Sequence, residues 1–152
     1  MNDFDFLRRF FVIIVAVLQP FIINYYLGDI PSLSSVWGTT LQPLFIIVNA
    51  MVSYLFFEMP KWRIPASLLL FLTAFSVTEY PTFHTVLAAL FFISCIYGLN
   101  SIKRFRWYLI PYLISTIFCI SGLYWFETWS IIILCIYHLN LLFYRNIFLR
   151  RK

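Results

Sequence analysis

Two histidines, His84 and His138, three cysteines and six carboxylates are the side chains able to move protons, attack a substrate or ligate a metal. Their spacing limits what they can do together. Cys95, Cys119 and Cys135 all lie inside apolar runs and form no C-x-x-C pair, so they read as small packing residues. A zinc site needs three or four ligands converging at about 2.0–2.3 Å. With each histidine on its own helix, a rise of about 1.5 Å per residue separates His138 from His84 by on the order of 10 Å in depth. That separation argues against a shared metal and against a bis-histidine haem, and no cofactor is expected. Asp29 or Glu79 could join His84, but neither reaches His138. His138 therefore reads as a neutral, hydrogen-bonded histidine of the interior. Asn49 and Asn140 read as further structural polar groups.

The densest hydrogen-bonding cluster lies elsewhere. The stretch 28–40 holds Asp29, Ser32 and Ser34, and Glu79 precedes His84 by little more than a helical turn. With Tyr80, Tyr124 and Glu127 these residues can form an acidic, hydroxyl-rich cap suited to a lipid head group, a sugar or a cation. Plain solvation of three tight connections would use the same residues. Asp29, Ser32, Ser34, Glu79 and His84 are thus the candidate ligand or partner residues, and a Glu79–His84 carboxylate–imidazole contact is within reach. No Ser/His/Asp spacing is specific enough to name a catalytic set.

The elements that must hold these residues follow from composition. Of 152 residues, 62% are hydrophobic, 22% aromatic and 11% charged, and the mean hydropathy is +0.88. Soluble domains carry roughly 25% charged residues. Half that load excludes an ordinary soluble domain and a disordered chain. It excludes a nucleic-acid partner too, because the net charge of +5 is scattered among apolar runs and builds no basic face. The expected fold is all-α, a polytopic transmembrane helical bundle forming one domain over 1–152. A bilayer-crossing helix needs about 20 apolar residues. Six candidate spans meet or approach that length, at about 10–27, 41–57, 62–77, 83–99, 108–123 and 129–148. Arg8 and Arg9 precede the first, and no small-x-small cleavage site follows it, so it reads as an uncleaved anchor. Pro20 falls inside that span and should kink it.

Charge then orients the bundle. With six spans, all eleven Lys and Arg residues fall at the termini or near the connections 58–63 and 100–107. The connections 28–40, 78–82 and 124–128 contain Asp29, Glu79 and Glu127 and no basic residue. Such asymmetry predicts that both termini are cytoplasmic. The tail Arg145, Arg150, Arg151 and Lys152 reads as a cytoplasmic anchor. The five tryptophans, Trp37, Trp62, Trp107, Trp125 and Trp129, fall at span ends or in connections, as an interfacial aromatic belt requires.

Two stretches carry a resemblance. Pro31, Ser32, Leu33 and Ser34 precede a span containing Phe45, and Tyr80, Pro81 and Thr82 precede a span in which His84, Ala88, Phe91 and Phe92 follow at H-x-x-x-A-x-x-F-F spacing. This pattern resembles a family of small bacterial multi-span membrane proteins of unknown function. More distantly it is similar to the eukaryotic membrane family containing the GPI-lipid remodelling factor. The resemblance implies Ser32, Ser34 and His84 as an outward-facing polar set, and a bacterial cytoplasmic (inner) membrane as the location. The chain departs from the bacterial pattern after the loop, where Thr40 through Phe45 supply no acidic residue.

The expected function is that of a non-enzymatic integral membrane protein, an accessory subunit or lipid-interacting factor of an envelope complex. Its partners would be membrane lipids and other membrane-protein subunits or a second copy of itself. An intramembrane enzyme or remodelling factor acting on lipid head groups at the outer leaflet is one alternative. A small transporter is another, disfavoured because inverted repeats and broken-helix glycine pairs are missing.

Overall fold

A computed structural model describes residues 3–149. Among these residues the regular elements are all helical: α1 Asp3–Leu27, α2 Gln42–Phe57, α3 Arg63–Ala74, α4 Pro81–Leu99, α5 Leu109–Ser115 and α6 Leu123–Leu149. Short 3-10 helices at Leu33–Val36, Pro60–Trp62, Lys103–Tyr108 and Thr116–Ser121 join or extend them. Arg150, Arg151 and Lys152 of the expected basic tail lie outside the described residues.

Three helices are long and apolar enough to cross a membrane: α1, α4 and the Leu123–Asn146 stretch of α6. At about 1.5 Å per residue each reaches or nearly reaches the ~30 Å of a bilayer core. They coincide with the expected spans 10–27, 83–99 and 129–148. Helix α2 matches 41–57 but has only 16 residues. The two remaining expected spans are shortened. Helix α3 has 12 residues and stops at Ala74, because Phe75 turns to an extended conformation (φ −107°, ψ 112°). Helix α5 has 7 residues and passes into the 3-10 helix Thr116–Ser121. At that junction the Ser115 and Thr116 hydroxyls each donate to the carbonyl three residues back, at 2.6 Å, which favours the tighter winding.

Local sequence explains the helix ends. Pro43 and Pro81 occupy the first turns of α2 and α4, where a missing N–H costs nothing. Gly28 ends α1 at φ +72° and donates its N–H to the Asn24 carbonyl, a left-handed cap that a side chain would strain. Helix α1 runs through Pro20, and the Tyr124 hydroxyl donates to the Pro20 carbonyl at 2.8 Å.

Packing follows the order α5, α6, α1, α2, α3, α4, each helix lying against the next. Helix α4 faces α5 and α6 through long side chains. The Tyr112 hydroxyl donates to the Phe92 carbonyl at 2.9 Å, and the Phe92 and Phe126 rings are 4.7 Å apart. The ring of helices has two chemically distinct ends. At one, Arg8 and Arg9 meet Glu58, Lys61 meets Tyr97, and Arg104 lies over Tyr144. At the other, Glu127 meets Leu33, Tyr124 meets Pro20 and Pro31, and His84 meets Phe75.

One expected belt residue sits in the core instead. Trp107, Trp125 and Trp129 are exposed and Trp37 is half-buried, but Trp62 is 1% exposed. Its indole is enclosed by Phe56, Tyr137 and His138, with ring centroids at 4.8, 5.5 and 4.4 Å. It packs flat on Gly98, whose missing side chain makes room for it. An aromatic ring at a span end serves an interfacial belt only if its helix turns it outward.

Candidate functional site

A cavity of about 80 Å³ lies inside the ring of helices, nearer the end where Glu127 meets Leu33 and His84 meets Phe75. A buried water needs about 10–15 Å³ in the same measure, so the space is well beyond a packing defect. Five helices line it: α1 with Ala16 and Gln19, α2 with Phe45, Asn49 and Phe56, α3 with Leu69 and Leu72, α4 with His84, Ala88 and Phe92, and α6 with Glu127, Ile131 and Cys135. Leu33 and Ser34, from the connection after α1, complete the lining. Its walls are largely hydrocarbon. The polar groups along it are Gln19, Ser34, Asn49, His84 and Glu127.

The connection 28–40 reaches the cavity because it is seated by its own apolar cluster. Leu33 and Val36 are buried with Ile23, Phe45 and Tyr124. Two hydrogen bonds from the start of α6 hold it down: the Leu33 N–H donates to Glu127 Oε2 at 2.6 Å, and the Tyr124 N–H donates to the Pro31 carbonyl at 3.1 Å. The expected cap thus divides in two. Ser32 clusters with Ser34 and Ser35 at 3.1 and 3.0 Å between hydroxyl oxygens. Asp29 and Glu79 are exposed and take no part in this cluster's hydrogen bonds.

His84 is 3% exposed, and no ion pair joins it to Glu79 among the described residues. Its Nδ1 lies 2.7 Å from the Phe75 carbonyl, so that nitrogen carries the proton. The bond satisfies a carbonyl left free where α3 ends, and it leaves Nε2 as the acceptor on a ring lining the cavity. Asn49 donates to the Phe45 carbonyl at 2.8 Å, and Gln19 reaches the same oxygen at 3.4 Å. Ser34, His84 and Glu127 share the cavity, yet each is engaged by a different protein group. No hydrogen bond joins Ser34 to His84 among the described residues, so the serine has no base beside it.

His138 and Asn140 lie further along α6, beyond the cavity-lining Cys135. His138 Nδ1 is 2.7 Å from the Leu134 carbonyl, and its ring stacks on Phe56 at 4.5 Å. Asn140 donates to the Tyr108 hydroxyl. Among the described residues no three His, Cys, Asp or Glu side chains gather in a group able to hold a metal.

Sequence reasoning did not single out Gln19, which is 2% exposed and lines the cavity. The available signal was a lone amide inside the first apolar run, directly before Pro20. Comparison with protein-family models, with characterised proteins and with solved structures gives no match to this chain.

Proposed function

We propose that this chain is an integral membrane protein of six spans with both termini in the cytoplasm, and that it is a non-enzymatic lipid-interacting factor. The two shortest spans would complete their crossing with 3-10 turns and interfacial residues. The observation that carries this reading is the internal cavity: apolar walls from five helices, with hydrogen-bonding groups near one end. Hydrocarbon fits the walls, and an ester or hydroxyl fits beside Asn49, His84 and Glu127. The exposed apolar outer faces of α1 and α4, such as Phe11, Leu18, Leu90 and Ile93, suit acyl chains or the helices of partner subunits or a second copy. A bacterial cytoplasmic membrane is the location proposed.

The second reading, an enzyme acting on lipid head groups, draws on Ser34, His84 and Glu127 lining one space. It is weaker, because a nucleophilic serine needs a base within hydrogen-bond reach.

The test is purification in mild detergent followed by mass spectrometry of retained lipid. The expected result is a stoichiometric lipid in the native protein that is lost on Ala88→Phe, which fills the cavity from α4. Equal lipid retention in both proteins, with the variant folded, would overturn the cavity as the binding site. Membrane-impermeant thiol labelling of a cysteine at position 34 but not at position 100, from outside intact cells, tests the orientation.

A further inference from the structure

At the basic end, α1, α2 and α6 enclose a second, smaller notch. Arg9 and Arg145 line it, above apolar walls that include Ile13, Leu55 and Leu142, and His138 forms part of its lining. Glu58 organises one side. Its Oε1 takes Arg8 and its Oε2 takes Arg9, each at 2.6 Å, while Asp5 lies 3.7 Å from Arg8. Arg9 Nε is buried with no acceptor. Arg145 has no ion-pair or hydrogen-bond partner among the described residues. At the inner end, His138 is 7% exposed; its Nδ1 is committed to Leu134, and its Nε2 is buried with no partner.

These unmet groups have a common complement. Buried N–H groups of a guanidinium call for an anionic oxygen, and two arginines lining one notch match the several oxygens of a phosphate. Apolar walls directly below call for hydrocarbon attached to that phosphate. The His138 Nε2, an acceptor, calls for a water or hydroxyl donor, and a notch of about 30 Å³ has room for one, given the ~10–15 Å³ a water needs. A free phosphate would satisfy the arginines and leave the walls bare.

We infer that the mouth of this notch binds the phosphate of an anionic phospholipid between Arg9 and Arg145, with its glycerol at the rim of the apolar lining and a water filling the space down to His138. The inference rests on the membrane reading above. It concerns the end of the bundle opposite the central cavity and needs nothing from it.

The experiment is reconstitution into nanodiscs of mixed phosphatidylglycerol and phosphatidylcholine, with native mass spectrometry of lipids that stay bound on ejection from the disc. The native chain should retain phosphatidylglycerol over phosphatidylcholine. Arg145→Gln should cut that preference about fivefold, the worth of one basic residue near an anionic surface, and Arg145→Lys should restore most of it. Lys103→Gln, at the same end but outside the notch, should leave the preference unchanged. An equal loss with Lys103→Gln would overturn the proposal in favour of diffuse charge. Full preference in Arg145→Gln would overturn it outright. Inorganic phosphate that raises the melting temperature of the detergent-solubilised protein as much as phosphatidylglycerol does would overturn the lipid as the source. A chain that stays dispersed after detergent removal, without lipid, would instead refute the membrane reading.

Discussion

Replacing Gly98 by alanine sets two known effects against each other. Alanine is the better helix former by about 0.8–1.0 kcal/mol, which favours the variant. The new methyl, however, would stand 2.6 Å from Cε2 and 2.8 Å from Cδ2 and Cζ2 of Trp62. Carbon atoms meet comfortably at about 3.5–4.0 Å, so the indole would have to retreat by about 1 Å. It has nowhere to go, since Phe56, Tyr137 and His138 surround it and it is 1% exposed. Overpacking a filled core costs about 1–3 kcal/mol. Three ring atoms in conflict at once put this site toward the upper end, and the clash wins. A net loss of about 1–2 kcal/mol corresponds to a melting temperature lower by about 2–8 °C for a chain of this size. Thermal unfolding of the detergent-solubilised protein, followed by near-ultraviolet circular dichroism, measures it. In a Trp62→Phe background the smaller ring frees the space, so the same substitution should cost little there. A Gly98→Ala variant that melts at or above the native chain would refute the reasoning.

Two other substitutions probe the ends of the bundle. Glu58→Ala removes the carboxylate that Arg8 and Arg9 share and leaves Arg8 only the longer contact to Asp5 at 3.7 Å; charged hydrogen bonds are worth about 1.5–3 kcal/mol. The melting temperature should fall, and the fall should shrink in high salt, which screens the two guanidinium groups. A melting temperature unmoved at low salt would count against the pairing. Tyr124→Phe removes only the hydroxyl that reaches the Pro20 carbonyl, and interhelical bonds of this type average about 0.6 kcal/mol with a ceiling near 1.7. A loss well beyond that ceiling would mean that the hydroxyl supports more than this one bond.

What could be read from the residue order was whatever depends on neighbours in the chain. Apolar runs marked all six helices, and basic residues such as Arg8, Arg9, Lys61 and Arg104 marked one end of the bundle. The early end of α3 was not legible, because the carbonyl freed at Phe75 is taken by His84 from the next helix, a partner no local pattern announces. The Arg8, Arg9 and Glu58 cluster joins positions about fifty residues apart, and nothing local announces it. His84 shows the limit most plainly. Its place at a helix start and its proximity to Glu79 in sequence pointed to an exposed cap, whereas the fold turns it inward to the cavity and leaves Glu79 in the open. Trp62 errs the same way: composition locates a ring along the bilayer normal, and only packing decides which side of the helix it occupies.

The junction between α4 and α6 carries a kinetic consequence. Neighbouring helices elsewhere in the ring approach backbone to backbone, but here Phe92, which lines the cavity, meets Phe126 ring to ring. A wall made of two side chains gives way by rotation about their χ angles, while a wall of packed backbone gives way only by sliding whole helices. Rotamer changes run orders of magnitude faster than collective helix motions. This seam is therefore the part of the cavity's boundary that opens fastest.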